Sequence, residues 1–258
     1  MFQNIIGQNP DFYVTPTSGM LELVFGARAN YSSSPEFKAQ DSELMKQGFM
    51  NFCRKGIEGY FDAITDKPCV MDKSRGWGVY RPFLEQFYPD PKIICLVRDL
   101  RSVISSYEKI YRKGQDKHDP IRNDSTGQGT TVHKRVDEWV NPTNTIGRAV
   151  ERIFEITRQG YENKIHFVKF EDLCLMPEQT MEGVYEYLGI SNYEHDFDNI
   201  EQITKEDDAI YGLTPDLHTI RPKLIAPTPD YKQILGQDIC DWVYQNYQWY
   251  FKMFDYKK

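Results

Sequence analysis

The 258-residue chain has no apolar stretch approaching the roughly 20 residues that a bilayer-spanning helix needs, so no helical membrane span is expected. Its first residues, MFQNIIGQNP, lack the basic region and following apolar run of a secretory signal. Cysteine is sparse and unpatterned: Cys53, Cys69, Cys95, Cys174 and Cys240 are odd in number and show no CxxC spacing. That excludes an obvious disulfide framework or thiolate metal site and points to reduced thiols in a cytoplasmic, intracellular setting. Basic charge is in deficit, 31 Lys and Arg against 38 Asp and Glu for a formal net charge of −7. A nucleic-acid-coating protein would carry the opposite sign. An anionic ligand would therefore need a local basic pocket. There is no internal repeat, no low-complexity tract and no G-x-x-x-x-G-K-[ST] string.

What is present fits one α/β domain over 1–258, long enough for a substantial buried core. Helical apolar spacing runs through Leu44, Phe49, Phe52, Ile57 and Phe61 within 36–64, and a short strand comes next at Cys69–Met71. A helix is predicted over 78–88, then an almost wholly apolar strand over 92–98, KIICLVR, of the kind covered on both faces in a parallel sheet. Helix 101–113, helix 144–160, strand 165–170, helix 177–188 and an aromatic-rich helix over 236–253 continue the alternation. The polar stretch 114–143 is rich in Gly, Asp and Thr and reads as a lid or acceptor loop. A second irregular segment covers 204–232.

Chemistry concentrates in PKIICLVRDLRSVISSYEKIYRKG, residues 91–114. The apolar strand delivers Arg98 and Asp99 to its carboxyl end and a helix begins at once, the place where open α/β sheets bind ligands. A helix N-terminus offers unpaired N–H groups and partial positive charge to a phosphate. Arg98 adds a planar fork of donors, and Ser106, eight residues on, can present a hydroxyl to the same anion. Arg98 could equally pair with a neighbouring carboxylate.

The Arg98-to-Ser106 spacing at a strand–helix junction resembles the 3′-phosphate motif of the sulfotransferase family. FVKFEDLCLMPEQTMEGVYEYLGI, residues 167–190, is similar to that family's strand, acidic turn and helix, with Phe170 where an adenine-contacting Tyr is expected. CVMDKSRGW, residues 69–77, resembles the strand-end region whose Lys bonds the oxygen bridging phosphate and sulfate, which places Lys73 in the catalytic role. Arg221 and Lys223 match a basic C-terminal loop closing over the 3′-phosphate, although the glycine-rich version of that loop is absent.

The resemblance implies a three-layer parallel sheet flanked by helices, of the P-loop nucleoside triphosphate hydrolase-like type. It implies 3′-phosphoadenosine-5′-phosphosulfate as donor, adenosine 3′,5′-bisphosphate as product, no metal, and a hydroxyl or amine on a small-molecule, carbohydrate or peptide acceptor. The family's 5′-phosphosulfate loop, of the type PRSGST, is not in the chain; the first residues resemble the helix that comes after that loop, and then the exit from that helix. A start at an internal Met, truncation and a degenerate member are three explanations, and the abrupt match in mid-helix favours the first. Trp77 reads as a packing residue or an adenine stacker. No base is assigned; Asp116, His118 and His133 lie in the polar loop, and His218 precedes Arg221. Two other functions remain open: a non-catalytic sulfotransferase-like binding protein, and a P-loop kinase of small molecules.

Overall fold

The computed structural model describes residues 1–113, 131–211 and 218–258, which gather into two compact units. The first comprises residues 1–93 and 193–206, the second the described parts of 94–192 and 207–258. Both are α/β, and each is built on a pair of parallel strands.

In the first unit, α1 (Phe2–Ile6) leads to β1 (Phe12–Thr17), which pairs in parallel with β2 (Cys69–Lys73) from Phe12 opposite Cys69 to Thr17 opposite Lys73. Parallel pairing requires a crossover, supplied here by α2 (Met20–Ser33), α3 (Pro35–Lys38) and α4 (Ser42–Asp62). The register slips between Val14 and Thr17, where Pro16 has no N–H to give the ladder. Asp41 caps α4 by accepting the Leu44 N–H at 2.9 Å. Phe49, Cys53 and Phe61 of α4 are buried, whereas Leu44 and Phe52 of the expected apolar face are exposed. The short α5 (Arg81–Leu84) closes this stretch; the helix expected over 78–88 shrinks to that single turn, flanked by turns. Residues 193–206 rejoin the unit through the buried Asn4, whose Oδ1 accepts the N–H groups of Ile203 and Thr204 at 2.8 and 2.9 Å.

In the second unit β3 (Ile94–Val97) lies parallel to β4 (His166–Lys169), with Val97 opposite Lys169. Their crossover contains α6 (Leu100–Lys113), α7 (Val132–Trp139) and α8 (Thr145–Arg158). The helix α7 occupies part of the polar stretch expected to be irregular. Thr131 caps it by accepting the Lys134 N–H, and Val136 and Trp139 are buried. Glu108 of α6 is fully buried, and Arg135 of α7 meets both its oxygens at 2.9 and 2.6 Å, which ties the two helices together. Residues 114–130 of the expected lid lie outside the described residues.

After β4 come α9 (Phe170–Leu175), α10 (Pro177–Leu188), α11 (Tyr231–Leu235), α12 (Gln237–Asn246) and α13 (Gln248–Met253). The single C-terminal helix expected over 236–253 is thus two, interrupted at Tyr247. Leu100, Ile104, Val150, Val243, Tyr250 and Phe251 share one core. The five cysteines are free thiols, and among the described residues no helix is long and apolar enough to cross a membrane.

Candidate functional site

The end of β3 gathers the chemistry of the second unit. Backbone pairing with β4 stops at Val97, and Arg98 is the next residue. Its Nε is buried with no hydrogen-bond partner, while its guanidinium lies over the Phe170 ring at 5.0 Å. A buried donor of this sort is expensive unless something accepts from it. Phe170 therefore sits against the arginine, a contact that residue types alone did not reveal.

The alternative of an Arg98–carboxylate pair has an obvious candidate in Asp99, but Asp99 is engaged elsewhere. Its carboxylate takes Arg101 Nε at 3.0 Å, Arg101 Nη2 at 2.6 Å and the Arg101 backbone N–H at 2.8 Å. The Asp99 carbonyl also accepts the Val103 N–H. Asp99 thus caps α6, and an internal carboxylate takes one of the free N–H groups that sequence reasoning assigns to phosphate.

Ser106 stands two turns into α6. Helical side chains lean towards the N-terminus, and its hydroxyl donates to the Ser102 carbonyl at 2.9 Å. Rotation of that O–H is all that an incoming acceptor would require. The Cys174 thiol lies in the same surroundings: burial raises its pKa, and the positive charge of Arg98 works against that rise.

Around Arg98 the backbone is held from the C-terminal segment. The Tyr250 hydroxyl donates to the Arg98 carbonyl at 2.9 Å and accepts the Arg98 N–H at 3.4 Å. Glu171 accepts the Asp99 N–H at 3.1 Å through one oxygen and the Tyr256 hydroxyl at 2.9 Å through the other. Burial pushes both phenols well above the ordinary tyrosine range, so the hydroxyls keep their protons.

Lys73 ends β2 in the first unit. Its N–H donates to Thr15 Oγ1 at 2.8 Å, and its ammonium pairs with Glu206 at 3.3 Å. Glu206 also accepts the Thr17 N–H at 3.4 Å. Trp77 donates its indole N–H to Asp72 at 2.7 Å, and Thr15 donates to the other oxygen of Asp72. Trp77 is thereby anchored beside Lys73 by its polar edge. In the second unit Arg221 and Lys223 are exposed, three and five residues beyond His218. The His218 ring contacts the buried Asp208 through Nδ1, and its backbone N–H donates to the same carboxylate at 3.1 Å. Of the residues considered as bases, Asp116 and His118 fall outside the described residues, whereas His133 belongs to α7 and its ring meets Trp242 edge-on.

A sequence model of the sulfotransferase family matches residues 6–195, about three quarters of the chain. The chain belongs to the sulfotransferase family. The match spans both parallel strand pairs, including Lys73, Arg98, Ser106 and Phe170. Among solved structures, a sulfotransferase domain from the curacin biosynthetic pathway resembles this sulfotransferase-family chain at 15% identity and a TM-score of 0.44, over 90% of this chain and 96% of that one. No curated protein sequence matches it.

Proposed function

We propose that this chain is an enzyme moving a sulfuryl group from 3′-phosphoadenosine-5′-phosphosulfate to a hydroxyl or amine acceptor in the cytoplasm, on a three-layer P-loop-like sheet. Family membership supports the reaction class. The observation that carries the nucleotide reading is the buried, unpartnered Arg98 Nε at the carboxyl end of a parallel strand. A cation kept short of acceptors fits an anionic ligand, and the neighbouring carboxylate that could have quenched it is spent on Arg101.

In this reading Arg98 and Ser106 hold the 3′-phosphate. Phe170 backs the guanidinium and can turn its other face to the adenine, and Arg221 with Lys223 adds positive charge to the same phosphate. When bound, the donor supplies a sulfuryl group on a stable bisphosphate leaving group. Lys73 is assigned to the bridging oxygen; an ammonium has three N–H donors, so its bond to Glu206 leaves others for charge that builds on that oxygen. Catalysis would rest on positioning and charge stabilisation, as in phosphoryl transfer. The acceptor is a small molecule, carbohydrate or peptide.

Calorimetric titration with adenosine 3′,5′-bisphosphate in the presence of EDTA tests the reading. Saturable binding without a divalent ion, together with release of that nucleotide from the sulfated donor in the presence of acceptor alcohols or amines, is expected. Binding without any turnover would leave a nucleotide-binding protein. Preference for ATP with Mg²⁺ would replace the proposal with a kinase.

A further inference from the structure

We infer that Tyr250 and Tyr256 are positioning residues for nucleotide recognition, holding the Arg98 turn in its ligand-ready shape from the C-terminal end of the chain. The inference rests on Arg98 being the 3′-phosphate ligand. The β3–β4 ladder ends at Val97, so the N–H and C=O of Arg98 are the first backbone groups beyond it. Buried backbone groups need partners. One hydroxyl, on a residue 152 positions away, satisfies both: Tyr250 donates to the Arg98 carbonyl and accepts its N–H. The next N–H, of Asp99, goes to Glu171, whose second oxygen is held by Tyr256. The two phenol rings stack, 6.2 Å apart and only 10° from parallel. Phe170 then carries the flat of the guanidinium. The backbone of two successive residues and the arginine face are thus fixed before any ligand arrives, which removes an ordering penalty from binding.

The two hydroxyls act through Arg98, so their loss should be felt only by a ligand that Arg98 touches. The test compares adenosine 3′,5′-bisphosphate with adenosine 5′-monophosphate by calorimetry on the full chain, for the unaltered protein, Tyr250→Phe, Arg98→Ala and the double variant. Tyr250→Phe should weaken bisphosphate binding about fivefold to tenfold, the worth of one hydrogen bond. It should leave the monophosphate unchanged and add nothing once Arg98 is Ala. Equal weakening of both nucleotides, full additivity with Arg98→Ala, or no change at all would overturn the inference. Should Tyr250→Phe melt below the assay temperature, the partly exposed Tyr256→Phe carries the same comparison, with an expected loss of about twofold to fourfold because it acts one bond further away. If the unaltered chain shows no preference for the bisphosphate, the 3′-phosphate reading itself fails and the inference falls with it. A preference left undiminished in both Phe variants refutes the inference alone.

Discussion

Two parallel strand pairs each end in a cation, and the two cations are treated differently. At the end of β2, Lys73 is met by Glu206, a carboxylate with only 8% of its side chain exposed that also takes the Thr17 N–H. At the end of β3, Arg98 keeps a buried donor without an acceptor, although a carboxylate stands next to it in sequence. Asp99 is turned to Arg101 instead. Strand-end position alone therefore does not say whether a cation is paired at rest; what the surrounding carboxylates do decides it. Where folding has supplied a counter-ion the cation is satisfied at rest, and where folding has withheld one a ligand can complete the set.

Breaking the Asp99–Arg101 pair should have the largest effect. Arg101 is 3% exposed, and Asp99→Ala would leave its charge buried without its partner carboxylate and uncap α6. A loss of about 3–5 kcal/mol in denaturant unfolding is expected. A loss under about 1 kcal/mol would mean that Asp99 is not committed to Arg101.

Lys73→Ala should have a smaller effect and a different readout. Stability should fall by about 1–2 kcal/mol as the nearly buried Glu206 loses its cation. The oxygen assigned to Lys73 stays with the leaving bisphosphate as part of its 5′-phosphate, so adenosine 3′,5′-bisphosphate and adenosine 5′-monophosphate should weaken alike, by about twofold to tenfold. A loss confined to the bisphosphate would erase the contrast between the two strand ends.

A third effect shows only in acid. The segment that carries Glu206 is held near its start by His195, whose ring Nδ1 meets Gln8 Oε1 at 3.2 Å. Burial lowers the pKa of His195 from 6.5 to about 4. An unfolded histidine thus gains a proton more readily than the folded one, so stability is complete above 6.5 and declines as pH falls towards about 4. Unfolding curves collected across that window should show the decline, and His195→Gln should flatten it. An unaltered slope in the variant would assign the acid sensitivity to other groups.

How much of this is legible in the sequence depends on how local the cause is. The apolar run before Arg98 and the periodicity after it are local, and β3 and α6 fall where they are predicted. The family resemblance places the first residues in a helix and its exit, whereas Phe12–Thr17 is a strand whose pairing with β2 shows only when the partner is known. The helix Val132–Trp139 is eight residues long and lies within a polar stretch, too short for its period to stand out. The contrast between the two cations is wholly non-local: Glu206 lies 133 residues from Lys73, and Tyr250 lies 152 from Arg98. No spacing rule links them. Even the commitment of Asp99 to Arg101, two residues apart, depends on the helix starting between them and on the Lys257 carbonyl that shares Arg101 Nη2.

The most direct measurement is the affinity of Arg98→Ala for adenosine 3′,5′-bisphosphate, set against adenosine 5′-monophosphate. The variant is expected to lose about 1.5–3 kcal/mol for the bisphosphate, roughly tenfold to 150-fold, with the monophosphate untouched and the melting temperature preserved. Bisphosphate affinity equal to that of the unaltered chain would contradict this, and would mean that the unpartnered guanidinium at the end of β3 is not where the nucleotide is read.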